Sequence, residues 1–324
     1  SAELNDSNGY FKIGKFYLKG RGVKKDVLKA KEYFEISAQQ NNSKALLYLG
    51  ILYEEGLGVT QDYLKAKKYY KKSADLNNSD ALFRLSELFF TGNDANQNIE
   101  IAKSYCERAA ELNNSDAMLS LGKMYWKGLG VKKDRLKAKE YFEKAEKLNN
   151  LNALYLLGGF YMDGDGEINY AKAREYMEKS AKCGNKLANL YLGYIYNDGM
   201  GTEKDYLKAI KYFELAAELE NDEALNHLGN IYLNGKSVPK DYNKAKDYLE
   251  RSSRKGNSYS MYGLGNMYLK GYGVDKNIKT AILYFEKAVE YDNPLALKKM
   301  GDLYKDGIDI PKDLQKAKEY YERS

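Results

Sequence analysis

The amino-acid sequence predicts an all-α chain, a right-handed α-solenoid superhelix of tandem helix-turn-helix repeats of about 36 residues. Three observations carry this reading. Alanine recurs at Ala30, Ala66, Ala102, Ala138, Ala173, Ala209, Ala245, Ala281 and Ala317, at a spacing of 36 broken by a single step of 35. A tyrosine follows each alanine by three residues, from Tyr33 to Tyr320, and an Asp or Asn precedes each by four, from Asp26 to Asp313. In the other half of the period a glycine recurs from Gly14 to Gly301, with Ser86 as the exception, and an aromatic residue stands three positions beyond each.

Each period resolves into two helices. In the second repeat Ala45, Leu49, Leu52 and Tyr53 share one helical face, which predicts a helix A over roughly residues 43–55. Gly56 and Gly58 then break the helix, because glycine enters the positive-φ region without steric cost. Asp62 is placed to cap helix B by accepting a first-turn N–H. Helix B, over roughly 63–76, buries Ala66, Tyr69, Tyr70 and Ala74 and ends at Asn77 and Asn78. The whole Asp/Asn column, Asn98 included, reads as caps of this kind. Pro239 and Pro311 fall in A–B loops, and Pro294 follows Asn293, where a first-turn proline is tolerated. The expected organisation is one array over 1–324: a partial helix at 1–5, repeats 6–41, 42–77, 78–113, 114–149, 150–184, 185–220, 221–256 and 257–292, and an incomplete repeat 293–324. Both ends fall inside a helix B, which reads as a segment of a longer array or as helix stubs that need other caps.

Composition narrows the function. The hydrophobic fraction of 44% supplies a continuous core, and no run of 18 apolar residues is available to insert in a membrane. The first residues lack a basic stretch followed by an apolar one, so no secretory leader is read there. The net charge of +6 is spread over 52 basic and 46 acidic residues without a basic block, which argues against a nucleic-acid partner. Cys106 and Cys183 lie two repeats apart, too far for a disulfide, and make no zinc motif. Cys106 shares the column of Phe34, Tyr70, Phe142 and Phe213 and reads as a small core filler. The Gly-x-Gly pairs, such as Gly56 and Gly58, follow a helix and not a strand, so they read as turns and not as phosphate cradles. His227, the single histidine, reads as a surface or groove residue, with no second group to share a metal or a proton. No cofactor, metal site or enzymatic activity is expected. Asn-x-Ser triplets begin at Asn5, Asn41, Asn77 and Asn113. They read as turn sequences, with the cytoplasm as the expected compartment; used as glycosylation acceptors, they would imply a secretory one.

The stretch ALLYLGILYEEGLGVTQDYLKAKKYYKKSA, from Ala45 to Ala74, resembles the Sel1-like repeat family, and the likeness covers essentially the whole chain. These repeats are relatives of tetratricopeptide repeats with a longer, Gly-rich connecting loop. Repeat three departs from the pattern: its loop reads GNDANQNIEIA, with Asp94 for the second glycine and Ile101 for the lysine. Repeat five lacks one loop residue between Gly166 and Ala173. Some bacterial members carry a disulfide in each repeat; this chain does not. The resemblance implies adaptor and scaffold work, including membrane-protein quality control, cell-wall regulation and pathogen–host contacts.

By analogy with tetratricopeptide repeats, helix A lines a concave inner wall. One column on it runs through Phe83, Leu119, Tyr155 and Leu190, and another through Phe90, Trp126 and Met162. Both are apolar in the middle repeats and mixed or charged towards Lys298 and Lys305. One reading is that they complete the packing between neighbouring A helices. The other is a groove for a protein or peptide segment, lined by Phe83, Phe90, Leu119, Trp126, Tyr155, Met162, Leu190 and Tyr194. Because the Trp126 column varies while core columns stay uniform, Trp126 is expected to contact the partner, and its truncation to spare the fold. The function expected is therefore a non-catalytic scaffold or adaptor; the alternative is a regulatory repeat arm of a larger enzyme such as a kinase or synthase.

Overall fold

The computed structural model describes residues 6–90, 95–163, 168–235, 237–307 and 310–324. These form helices and connecting turns, with no strand among the described residues. The chain divides into two compact units, one up to Phe160 and one from Tyr161. In the first unit run α1 (Ser7–Lys19), α2 (Val27–Gln39), α3 (Ser43–Glu55), α4 (Tyr63–Asp75), α5 (Ser79–Phe90), α6 (Ala95–Glu111), α7 (Ser115–Lys127) and α8 (Arg135–Lys147). The division falls within α9 (Leu151–Met162). The second unit continues with α10 (Tyr170–Lys182), α11 (Lys186–Asp198), α12 (Tyr206–Glu218), α13 (Asp222–Asn234) and α14 (Tyr242–Arg254). It ends with α15 (Ser258–Lys270), α16 (Ile278–Glu290), α17 (Pro294–Asp306) and α18 (Leu314–Arg323). Odd-numbered helices are the A helices and even-numbered ones the B helices. Each unit is an α-solenoid in which an A helix packs on its own B helix and that B helix on the next A. Among the described residues no helix is long and apolar enough to cross a membrane.

The local chemistry follows the period. Helix α3 stops at Gly56, whose φ of 67° lets its N–H reach back to the Leu52 carbonyl. The loop then closes on itself, with the Asp62 N–H donating to the Tyr53 carbonyl at 2.9 Å. The Asp62 carboxylate in turn accepts the Lys65 N–H at 2.9 Å and so caps α4. Asp26, Asp134, Asn169, Asp205, Asp241, Asn277 and Asp313 cap their B helices in the same way. Asn98 does not: α6 starts at Ala95, so Asn98 lies inside the helix. Repeat three lacks the second loop glycine, and alanine propagates a helix readily. The shortened loop of repeat five, the Gly164–Gly166 pair and the partial helix at 1–5 with its Asn5 triplet lie outside the described residues.

A second asparagine column does work that the sequence pattern concealed. Asn114 caps α7 by accepting the Ala117 N–H at 2.9 Å, and its own Nδ2 donates to Asp80 of the preceding A helix, also at 2.9 Å. Asn150 reaches Asp116 at 2.8 Å, and Asn257 reaches Asp222 at 3.0 Å. One residue earlier, Asn41, Asn77 and Asn113 take φ values of 55–62°. Asn149, Glu220 and Asp292 do the same without any Asn-x-Ser triplet, so the left-handed turn accounts for this column on its own.

Packing explains the glycines of the A helices. A Cβ on Gly50 would lie under 3.0 Å from the Tyr70 ring, and one on Gly14, Gly122, Gly193 or Gly265 would meet the Phe ring of its own B helix as closely. Repeat three resolves the same crossing differently. There Ser86 supplies a side chain and the ring is replaced by Cys106, fully buried, whose Sγ donates to the Ala117 carbonyl at 3.2 Å. Burial pushes that thiol up to about 12. The aromatic residue after each A-helix glycine stacks on the tyrosine of its B helix, as Tyr53 on Tyr69 with ring centroids 5.7 Å apart and, in repeat three, Phe89 on Tyr105. A capping-turn lysine lies over the first ring, as Lys65 does over Tyr53 at 5.4 Å.

Candidate partner-binding site

A groove crosses three successive A helices of the first unit, α3, α5 and α7. Its apolar floor is Leu47 and Ile51 of α3, Phe83 of α5 and Leu119 of α7, and it encloses about 520 Å³. Charged side chains stand around this floor: Asp80, Arg84 and Glu87 on α5, Asp116 and Lys123 on α7. The groove continues into a smaller pit of about 250 Å³ between α5 and α7, where Phe90, Met124 and Leu129 form the apolar wall. Glu87, Ser120 and Lys123 line both parts. Arg84 and Glu87 pair at 3.6 Å, one helical turn apart. Burial nonetheless raises the Glu87 carboxyl above the usual range, against the opposing pull of Arg84. Beside the groove, buried Tyr70 donates its hydroxyl to Glu54. Apolar floor, hydroxyls and charges of both signs fit recognition of a polypeptide segment. Among the described residues no group of three or more His, Cys, Asp or Glu is placed to hold a metal.

The structure brings together only some of the residues that the sequence singled out. Phe83 lines the groove half-buried, and Phe90 stands in the pit with 45% of its surface exposed. Leu119 is 5% exposed and presents only an edge to the groove; its bulk packs between helices. Tyr155 is half-buried on α9 and lines neither cavity. Trp126 departs from the expectation of a free contact residue. Its ring centroid lies 5.6 Å from that of buried Phe142 and 5.9 Å, edge-on, from that of buried Phe160, and the Arg135 guanidinium lies over it at 5.1 Å. The indole thus joins α7 to α8 and α9 and lines neither cavity.

The other three predicted residues belong to the second unit. Met162 is half-buried, and Leu190, 3% exposed, is core. Tyr194 is half-buried and donates its hydroxyl to Glu223 at 2.8 Å. His227 is half-buried: it stacks on Phe213 at 5.0 Å and meets the edge of Tyr194 at 5.0 Å. Burial lowers its pKa, against the opposing fields of Glu223 and Asp198.

Sequence reasoning missed Ile51, Arg84, Glu87 and Lys123, whereas Leu47 stands in the column of Phe83 and Leu119. The signal was present one and two residues from the glycine column, where Ile51, Glu87 and Lys123, and Tyr48, Arg84 and Ser120, occupy equivalent positions. Following only apolar columns passed over these rows.

Comparison with known proteins agrees with the repeat fold. The model of the Sel1 repeat matches residues 7–42, 43–78, 79–114, 115–150, 151–185, 186–221, 222–257, 258–290 and 294–324. Among solved structures, the chain is similar to c5321, a protective antigen of uropathogenic Escherichia coli displaying an SLR fold. The two are 28% identical, with a TM-score of 0.77 over 99% of this chain and 77% of that one. It is also similar to a Sel1 repeat protein from Oxalobacter formigenes, 26% identical, with a TM-score of 0.68 over 90% of this chain and 85% of that one. No curated protein sequence matches the chain.

Proposed function

The chain belongs to the Sel1 repeat family, whose members generally mediate protein–protein interaction, and from that premise we propose that it is a non-catalytic scaffold holding a partner protein's segment in the α3–α5–α7 groove. The observation that carries this reading is the groove itself: an apolar floor at half-buried Ile51 and Phe83 with the edges of buried Leu47 and Leu119, opening to the exposed Phe90 and rimmed by charges of both signs. A partner's apolar side chains would seat on the floor, and the rim would select among segments by charge. The histidine, the group best suited to proton transfer near neutral pH, is stacked on Phe213 and edge-on to Tyr194, which supports a role without catalysis.

The experiment compares Phe90→Asp with Leu64→Asp, the latter on the B helix α4 at a site 82% exposed. Phe90→Asp is expected to melt close to the parent and to lose the partner that co-purifies from the native host. Leu64→Asp should keep it. Retention of the partner by Phe90→Asp at full occupancy would rule out the groove.

A further inference from the structure

Charge is not scattered along the groove. At one end stand Asp80 and Asp116, the same position in the first turns of α5 and α7. Each accepts, through one carboxylate oxygen, a hydrogen bond from the Nδ2 of an asparagine of the following repeat, at 2.9 and 2.8 Å, and leaves the other oxygen to the groove end. In the middle Arg84 and Glu87 offset one another at 3.6 Å, with Lys123 level with Glu87 and on the side of Lys127. Towards the other end Lys123 and Lys127 lie four residues apart on α7, both exposed, and among the described residues neither has a hydrogen bond or ion pair. The apolar pit of Phe90, Met124 and Leu129 opens at this basic end and not at the acidic one.

Resting on the groove reading above, we propose that the groove binds its partner segment in one sense only: a basic side chain at Asp80 and Asp116, an acidic one at Lys123 and Lys127, and an apolar one beside the acidic one in the pit. Spacing sets the length of that segment. Asp116 and Lys127 are separated by eleven helical residues, about 16 Å at a rise of 1.5 Å. An extended chain spans about 13 Å from its first to its fifth residue at roughly 3.3 Å per step, and the long charged side chains at its two ends cover the remainder. The occupant is therefore an extended stretch of about five residues whose charges differ in sign at its ends, with leucine or a similar side chain next to the acid. Asp80 and Asp116 also suit the positive end of a helix dipole, and Lys127 the negative end. A stability measurement thus cannot separate the two roles, and the test must read ligand order.

Two capped pentapeptides of identical composition serve as probes: acetyl-Lys-Gly-Gly-Leu-Glu-amide and acetyl-Glu-Gly-Gly-Leu-Lys-amide. They are titrated calorimetrically into the full chain at low salt. The first, with leucine beside the acid, is expected to bind at least about tenfold more tightly, because opposite-charge placement discriminates while like charges facing one another cost affinity. The double variant K123E/K127E, at two exposed positions, should lose or invert that preference. Equal binding of the two peptides, with both lost in Phe90→Ser, would overturn the polarity and leave the groove as a binding site. An unchanged preference in K123E/K127E would overturn it as well. If neither peptide binds, or if Phe90→Ser changes nothing, the groove reading fails and this proposal fails with it.

Discussion

The Trp126 indole is held by Phe142, Phe160 and the Arg135 guanidinium, so its removal opens a cavity where α7, α8 and α9 meet. Trp126→Ala is expected to cost about 3 kcal/mol, the low end for a large aromatic, because part of the ring is already in water. A urea titration checks this; a loss under about 0.5 kcal/mol would return Trp126 to the surface class. His227 gives a pH-dependent counterpart. Its folded pKa lies below the ordinary 6.5, with burial as the main cause and Glu223 and Asp198 opposing it. Above pH 6.5 both folded and unfolded forms are neutral. As pH falls below that value the unfolded chain takes up a proton first, so stability declines until the folded imidazole is also protonated. Unfolding of the second unit should therefore become easier between pH 7 and pH 5, and His227→Phe, which keeps the stacked ring, should remove that part of the slope. At this scale the sequence was partly misleading. The uniform alanine column is core, but the equally uniform tyrosine column of the B helices is only half-buried, and a variable column need not mark surface, because neighbours vary with it: Trp126 has Arg135 beside it where Glu54 has the Tyr70 hydroxyl.

Between helices, the crossing of A on B is set by a side-chain exchange: glycine against a ring in most repeats, Ser86 with Cys106 in the third. A ring placed at Cys106 would press on the Ser86 side chain, just as a Cβ on Gly50 would press on Tyr70. Cys106→Phe alone should destabilise the chain through overpacking. Adding Ser86→Gly should recover most of the loss, with a coupling of about 2 kcal/mol in a double-mutant cycle. Additive effects of the two substitutions would show that the sites do not share this contact. Most of this level was legible in the sequence. Both helices of each period, the glycine stops and the aspartate caps follow from residue chemistry, and α3 and α4 lie where Ala45–Tyr53 and Asp62–Ala74 place them. The inter-repeat asparagine bonds were not legible: a run of two asparagines reads as a turn, and only geometry shows that the second caps the next helix while holding the previous one. The early start of α6 was hidden for a related reason, since a column of capping residues does not reveal a loop that has itself become helical.

For the whole molecule, repetition carries the fold class and blurs the site. A period of 36 predicts that repeats pack on their neighbours, and within each unit they do. The same period gives every A helix an equivalent inner position, so a groove is distinguished only by which side chains fill those positions and how deeply. Phe83 lines the groove and Phe90 its pit, Leu119 and Leu190 are consumed by packing, and the charges that polarise the groove come from columns that are not apolar. The measurement closest to the central claim is site-directed photo-crosslinking in the native host, with benzoylphenylalanine replacing Phe83, Phe90 or Leu64 one at a time and the adducts identified by mass spectrometry. A partner held in the α3–α5–α7 groove predicts discrete protein adducts from Phe83 and Phe90 and none from Leu64. Adducts from Leu64 alone would contradict it and move the binding surface to the B helices.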